Sequence, residues 1–124
     1  MAKVLLFNIS DPKAIKIKNL CRKLYFESEQ IEKDRFGETL GRLLGQSDDT
    51  GSSDGEDFDE EMLYLADIDG GMLNIFLAQL RRQKTPVALK AVKTDTNAAF
   101  SVYELYRELS AERNAIARGT QAHS

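Results

Sequence analysis

The chain alternates short apolar runs with longer amphipathic stretches. Two runs, Val4–Ile9 and Met62–Ala66, are almost continuously apolar, which is typical of strands that are buried on both faces. Val87–Val92 also resembles a strand, but Lys90 interrupts it, so we expect it nearer an edge of the sheet. Gln30–Asp34 has a single apolar anchor and is the weakest predicted strand; its polar character fits an edge position.

Other segments place their apolar residues at helical spacing. The i, i+3, i+4, i+7 pattern occurs three times, and a shorter stripe predicts one more helix. The four stripes are Ile17, Leu20, Cys21 and Leu24; Phe36, Leu40, Leu43 and Leu44; Leu73, Phe76, Leu77 and Leu80; and Val102, Leu105, Tyr106 and Leu109. Each stripe indicates a helix with one face turned toward a core.

Capping residues support the predicted helix starts. Asp11 precedes a proline and is a suitable N-cap for the first helix. Asp67 or Asp69 can cap the third helix, and Ser101 with Glu104 forms an S-x-x-E capping box for the last one. These signals fix the order of elements as strand–helix–strand–helix–acidic loop–strand–helix–strand–helix.

This order predicts an α/β fold, with a four-stranded, mostly parallel sheet and helices on both faces. A receiver-like strand order 2-1-3-4 would place the two most apolar strands in the centre. A ferredoxin-like α+β sheet would centre the same strands and is the alternative. A ferredoxin-like sheet is covered on one face only, so its strands should alternate between apolar and polar residues, which the VLLF and LYLA runs do not.

The length of 124 residues is that of one domain. We assign residues 1–117 to a single α/β domain that contains an acidic loop at 46–61. Residues 118–124 lack core-forming side chains and are predicted to form a flexible tail.

The net charge of −3 conceals an uneven distribution. Residues 46–61 contain eight acidic residues and no basic one, which leaves 12 acidic against 17 basic residues in the rest of the chain. This segment is either a detached, solvated loop or a strap against a basic surface of its own domain. The second arrangement would be autoinhibitory if that surface bound an anion. The first is favoured, because runs of like charge are usually solvated.

Several classes of function lack their residues. Cys21 is the only cysteine, so no internal disulfide forms, and its place on an apolar stripe indicates a structural thiol. His123 is the only histidine and lies in the predicted tail, so we expect no histidine-based catalysis, no metal site and no cofactor. There is no basic cluster with interleaved aromatics for nucleic acid and no apolar run that could span a membrane. A cytoplasmic location is expected.

A candidate binding site follows from the predicted topology. Ligands of open α/β sheets bind outside the carboxyl ends of the strands, and two polar loops would share that edge if the sheet were parallel. Their hydroxyl, amide and backbone N–H groups suit a phosphate or carboxylate, and two lysines add positive charge. The predicted ligand-binding residues are Ser10, Lys90, Lys93, Thr94, Thr96 and Asn97. The competing interpretation is that they only cap helices and shape turns.

A second hypothesis concerns protein partners. Gly37, Gly41 and Gly45 are four residues apart, so one face of a short helix would be bare backbone, open to another helix or a partner chain. Alternatively, the first and last of these glycines begin and end the helix. Tyr103 lies just off the last apolar stripe and could provide a partner contact.

Four segments together resemble a known family. KVLLFNISD, ETLGRLLG, EMLYLADID and LKAVKTDTN are similar to a bacterial family of about this length that is known only as a domain of unknown function. The LKAV-x-T-x-x-N segment is the most specific part. Family members often carry Trp just after the Asn, where this chain has Phe100. The resemblance implies a stand-alone bacterial cytosolic protein without a known activity, and makes Lys90, Thr94 and Asn97 the first residues to test.

The sequence therefore favours a small, non-enzymatic cytosolic domain that binds a small anionic ligand or a partner at its strand-to-helix edge. The alternative is a protein-interaction module acting as a homodimer. An enzyme acting on a phosphate-bearing substrate is the third candidate.

Overall fold

The computed structural model describes residues 1–49, 51 and 55–122, with side chains as far as residue 116. The elements are β1 Lys3–Phe7, α1 Lys13–Lys23, β2 Glu27–Ile31, α2 Leu40–Leu43, β3 Met62–Ala66, α3 Gly70–Arg82, β4 Leu89–Val92 and α4 Val102–Ala122, with 3-10 turns at Lys33–Arg35 and Asn97–Ala99. Two units divide the chain: Met1–Arg35 with Asp59–Thr94, and Phe36–Phe58 with Asp95–Ser124. α4 thus extends into the segment that was predicted as a tail.

The first unit contains a four-stranded sheet in the order β2-β1-β3-β4. The β1/β2 and β3/β4 pairs are parallel, and the central β1/β3 pair is antiparallel, with Leu5 opposite Tyr64. The α/β class, the mostly parallel sheet and the 2-1-3-4 order are confirmed. The antiparallel centre differs from the fully parallel receiver-like arrangement. Between β2 and β3 the described residues form a 3-10 turn at Lys33–Arg35 and the four-residue α2, which is shorter than the crossover helix that usually returns a chain to a parallel strand.

The core of the first unit explains why β1 and β3 read as continuous apolar runs. One face of the sheet packs against α1 and α3 through Val4, Leu6, Leu63, Leu65, Ala14, Ile17, Leu20, Cys21, Phe76 and Leu80. Side chains on the opposite face, such as Leu5, Phe7 and Tyr64, are also fully buried. The alternating strands of the ferredoxin-like alternative therefore do not fit. Burial raises the pKa of Cys21 to about 12, which agrees with a structural thiol.

The edge strands differ from their predicted bounds. β2 spans Glu27–Ile31 instead of Gln30–Asp34, because its anchor Ile31 ends the strand and Lys33–Arg35 turns away as a 3-10 helix. β4 begins at Leu89 and lies at the edge, as the interrupting lysine predicted.

Helix caps account for most of the predicted starts. Asp69 accepts a hydrogen bond from the Met72 N–H at 3.0 Å and caps α3. The Ser101–Glu104 capping box is present, with both reciprocal hydrogen bonds. The predicted Asp11 cap is wrong: α1 begins after Pro12 without a side-chain cap.

In the second unit, contacts join α2, α4 and the chain segments that lead into these two helices. Thr39, the N-cap of α2, pairs with Ser101 in an isolated antiparallel bridge, and both are buried. Phe58 is 5% exposed. Its ring stacks on Tyr106 at 4.0 Å and on Phe36 at 5.3 Å. The acidic segment therefore carries an aromatic anchor.

Candidate functional site

The antiparallel centre of the sheet separates the two loops that were predicted to share one edge. Ser10 follows the carboxyl end of β1, whereas Lys93 and Thr94 follow the carboxyl end of β4. β4 is parallel to β3, and β3 is antiparallel to β1. The carboxyl ends of β1 and β4 therefore point in opposite directions and lie on opposite sides of the sheet, at opposite ends of its strands. The prediction that both loops contribute to one site is therefore wrong.

The loop with Ser10 opens onto a cavity of about 250 Å³. It lies at the carboxyl ends of the parallel strands β1 and β2, the place where open α/β sheets bind ligands. The lining residues are Leu6, Asn8, Ile9, Ser10, Gln30, Ile31, Glu32 and Lys33. The cavity is thus lined by apolar side chains together with a hydroxyl, two amides, one ammonium group and one carboxylate. Gln30 is held in place by its amide donating to the Ile9 carbonyl at 3.2 Å.

Three consecutive acidic residues lie against this edge, and we refer to Asp59–Glu61 as the acidic strap. Asp59 Oδ1 is 2.6 Å from Lys33 Nζ. Glu61 Oε1 is 2.5 Å from Lys13 Nζ, in the first turn of α1. The Asn8 amide donates to the Glu60 carbonyl at 3.1 Å. The C-terminal end of the acidic segment is therefore not detached. Its carboxylates contact lysines of the same chain, which is the second of the two arrangements that the sequence left open.

The lysines of the opposite edge already bind groups of the protein itself. Lys93 Nζ lies 3.3 Å from Asp67 Oδ1, and Lys90 Nζ donates to the Val87 carbonyl at 3.0 Å. Asp67 also acts on Tyr64: burial raises the pKa of the Tyr64 hydroxyl above its usual value, and the negative charge of Asp67 raises it further. The Tyr64 hydroxyl therefore stays protonated at neutral pH.

The remaining predicted residues lie where the chain passes from the first unit to the second, at Thr94 and Asp95. Thr94 is exposed and ends the first unit. Thr96 is exposed and its side chain caps nothing, whereas Asn97 begins the 3-10 turn and its carbonyl accepts the Phe100 N–H at 3.0 Å. Their turn-forming geometry fits the competing interpretation, in which such residues shape the junction.

The glycines of the short helix are used within the second unit. A Cβ on Gly41 would lie 3.2 Å from the Ala98 carbonyl oxygen and 3.3 Å from Ser47 Cβ, so the close approach is internal. Gly45 has a φ of +76° and ends the helix, as the alternative interpretation held. Tyr103 is half-buried, with its ring edge toward Phe36 at 6.0 Å. Gly41 is therefore buried within this unit, whereas Gly37 is half-buried and Gly45 is exposed.

Replacing Gly41 with alanine is therefore expected to lower the free energy of unfolding by about 1 kcal/mol. Overpacking against a backbone carbonyl costs roughly 1–3 kcal/mol, and the better helix propensity of alanine returns up to about 1 kcal/mol. Urea unfolding monitored by circular dichroism measures the change. Gly70→Ala is the control, because a Cβ there has no neighbour within 4 Å. A stabilised Gly41→Ala variant would contradict the tight packing.

Sequence reasoning missed the residues that surround the cavity beside Ser10. Lys33 was placed inside a strand because the predicted bounds of β2 were displaced toward the C-terminus. With the observed end at Ile31, the carboxyl-end rule that selected Ser10 also selects Lys33. Lys13 follows a similar logic, since it opens the helix that succeeds β1.

Metal ligands and membrane-spanning helices are the last features to consider in the described residues. No group of three or more His, Cys, Asp and Glu side chains in this part of the chain is arranged to hold a metal ion. None of the helices within the described ranges is long and apolar enough to cross a membrane.

The fold and the edge cavity define a small α/β protein with a polar recess at the ends of a parallel strand pair. Residues 61–116 match the model of a family described as Domain of unknown function (DUF3783). The predicted resemblance to a family of unknown function is confirmed over this segment, which includes the LKAVKTDTN stretch and excludes β1, α1 and β2. No curated protein and no solved structure matches the chain.

Proposed function

We propose that the protein is a non-enzymatic binding domain that holds a small anionic ligand at the carboxyl edge of β1 and β2. The observation that carries this proposal is the cavity of about 250 Å³ beside Ser10, with Lys33 in its wall. A volume of this size suits a phosphate- or carboxylate-bearing metabolite. Glu32 also lines the cavity, so the ligand is expected to present a polar or cationic group beside its anionic one.

The chemistry of the lining residues supports binding over catalysis. An ammonium group from Lys33, a hydroxyl from Ser10 and amides from Asn8 and Gln30 bind oxygen anions by charge-assisted and neutral hydrogen bonds. Lys13 adds a second positive charge near the start of α1. The proposal keeps the cytoplasmic setting that the single cysteine favoured.

The opposite edge is the second place to look for the ligand. Lys90, Lys93, Thr94, Thr96 and Asn97 remain predicted site residues, but an anion there must compete with Asp67 for Lys93. We therefore rank this edge below the cavity.

Replacing Lys33 with glutamine is expected to weaken anion binding about tenfold, since one charge-assisted contact is lost. Native mass spectrometry of gently purified protein first identifies a retained ligand by its mass. Isothermal titration with inorganic pyrophosphate then compares the parent chain with Lys33→Gln and Ser10→Ala.

The control is Lys23→Gln, which removes the same charge from an exposed position at the far end of α1. A combined Thr94→Ala, Thr96→Ala and Asn97→Ala variant tests the opposite edge. Equal losses for Lys33→Gln and Lys23→Gln would reject the cavity as the site. A loss confined to the triple variant would move the site to the β4 edge.

A further inference from the structure

The two parallel strand pairs have the same construction. β1, α1 and β2 follow one another as β3, α3 and β4 do. Each pair is also in equivalent register, because the first residue of the leading strand faces the first residue of the returning strand: Lys3 faces Glu27, and Met62 faces Leu89. Order and register of this kind are common to βαβ segments in general. A relation between these two segments therefore has to show in features that are rarer, such as unusual backbone conformations.

Unusual backbone conformations recur at matching positions. Four non-glycine residues in the described part of the chain have positive φ, and they form two pairs separated by 59 residues. Asn8 (59°) and Asp67 (60°) directly follow β1 and β3. Tyr25 (62°) and Lys84 (59°) follow α1 and α3. Positive φ is uncommon outside glycine, so its recurrence at both ends of both helical connections is a strong sign of one shared backbone.

The hydrogen bonds that end the two helices also correspond, with the same spacing of 59 residues. The Tyr25 N–H donates to the Arg22 carbonyl, and the Lys84 N–H donates to the Arg81 carbonyl, both at 3.1 Å. In the next positions, Phe26 donates to Cys21 at 2.8 Å and Thr85 to Leu80 at 3.0 Å. Both helices therefore end in the same manner.

The second unit contains a further equivalent pair of residues, 62 instead of 59 positions apart. Thr39 and Ser101 are the N-cap residues of α2 and α4, and their hydroxyls accept the N–H groups of Arg42 at 3.1 Å and Glu104 at 3.2 Å. These two equivalent residues pair with each other in the antiparallel bridge.

The central strand pair has the pattern of a two-fold interface. Leu5 and Tyr64, which are 59 residues apart, face each other, and Lys3 faces Ala66 where Phe7 faces Met62. If the two strands are exchanged, the Lys3–Ala66 pair takes the place of the Phe7–Met62 pair, and the Leu5–Tyr64 pair stays where it is. This is the pattern of an isologous dimer contact.

We infer that the chain is a single-chain pseudo-dimer of one βαβ module with a C-terminal helix. The first half is a diverged second copy of the segment that matches the family model, residues 61–116. The face of β3 that pairs with β1 therefore fits a second copy of β3. In such a pair Tyr64 would oppose Tyr64 of the other copy and Leu63 would oppose Leu65, and all of these side chains are buried and mainly apolar. This inference does not depend on the proposed ligand.

The test uses the full chain with β1 disabled. Leu5→Pro removes a ladder hydrogen bond from a central strand and should prevent β1 from pairing. We expect the parent chain to be monomeric at 10 µM and the Leu5→Pro chain to be mainly dimeric, with much of its helical circular dichroism retained. Native mass spectrometry and light scattering measure the mass. A Leu5→Pro chain that is monomeric, whether folded or unfolded, would overturn the inference.

A cysteine at position 64 reports the register of the dimer. Directly opposed residues in antiparallel strands have Cα atoms about 4.5–5.5 Å apart, within the range for a disulfide. In a Cys21→Ala background, Leu5→Pro with Tyr64→Cys should form an interchain disulfide, and Tyr64→Cys with native Leu5 should not. The control places the cysteine at exposed Val92 in the Leu5→Pro chain. Dimers that cross-link equally at positions 64 and 92 would be non-specific aggregates and would refute the proposed pairing.

Discussion

Replacing Phe58 with alanine is expected to lower the free energy of unfolding by about 3–5 kcal/mol, the usual cost of deleting a buried aromatic side chain. Within the second unit the Phe58 ring lies parallel to that of Tyr106, at 5° and 4.0 Å, and also stacks on Phe36. Its removal loses the transfer free energy of the ring and leaves a cavity between two aromatic neighbours. Urea unfolding followed by far-ultraviolet circular dichroism measures the change.

The result distinguishes two interpretations of the acidic segment. Glu56→Ala is the matched control, because it alters an exposed side chain two residues earlier and should change stability by less than about 0.5 kcal/mol. If Phe58→Ala has an effect as small as Glu56→Ala, the segment is a detached loop in solution. A large and selective loss means that the segment is anchored by its single aromatic residue.

The sequence predicted the elements of the fold better than their directions. Continuous apolar runs identified β1 and β3 because both faces of these strands are buried, and Met62–Ala66 has the predicted bounds. Strand direction is not encoded in that pattern. It depends on the connection from β2 to β3, where the stripe from Phe36 to Leu44 indicates a helix but the chain forms only four helical residues.

Of the residues around the cavity, the sequence predicted Ser10 but not Lys33, and the clarity of the neighbouring strand explains the difference. Ser10 was identified because it follows a strand that the sequence marks clearly. Lys33 was missed because β2 is polar, and only its last residue, Ile31, is buried. An error of three residues at such a strand is enough to move a site residue from a loop into a strand. The placement of Lys93 beside Asp67 joins two separate loops, and no local pattern in the sequence indicates that contact.

The internal pseudo-symmetry was hidden from the sequence by divergence of the side chains. Equivalent core positions carry different residues, such as Ile17 and Phe76 or Cys21 and Leu80. Equivalent positions with positive φ carry Tyr25 and Lys84, neither of which is a usual marker of that conformation. The backbone preserves what the side chains do not, because packing tolerates many apolar combinations of suitable total volume.

Neutralising the acidic strap with Asp59→Asn and Glu61→Gln is expected to raise the affinity for inorganic pyrophosphate about tenfold. Asp59 contacts Lys33 and Glu61 contacts Lys13, so an anion that enters the cavity must compete with two carboxylates of the same chain. Asp59 is 94% exposed and Lys33 is 45% exposed, whereas Glu61 and Lys13 are only 29% and 26% exposed. Ion pairs at or near the surface contribute about 0–1 kcal/mol each. Two such pairs together correspond to about a tenfold change in the dissociation constant. Isothermal titration at fixed ionic strength measures it.

A matched variant separates release of the lysines from a general change in charge. Asp48→Asn with Glu56→Gln removes the same two charges from exposed positions of the same segment. Neither residue lines the cavity, and about 0.1 M salt largely screens exposed charges that do not contact the ligand, so this variant should alter the affinity less than twofold. Equal gains for both double variants would mean that the strap acts only through net charge. A gain specific to Asp59 and Glu61, abolished when Lys33→Gln is added, would show that the strap occupies the lysines the ligand needs. The acidic segment would then set the ligand concentration at which the cavity fills.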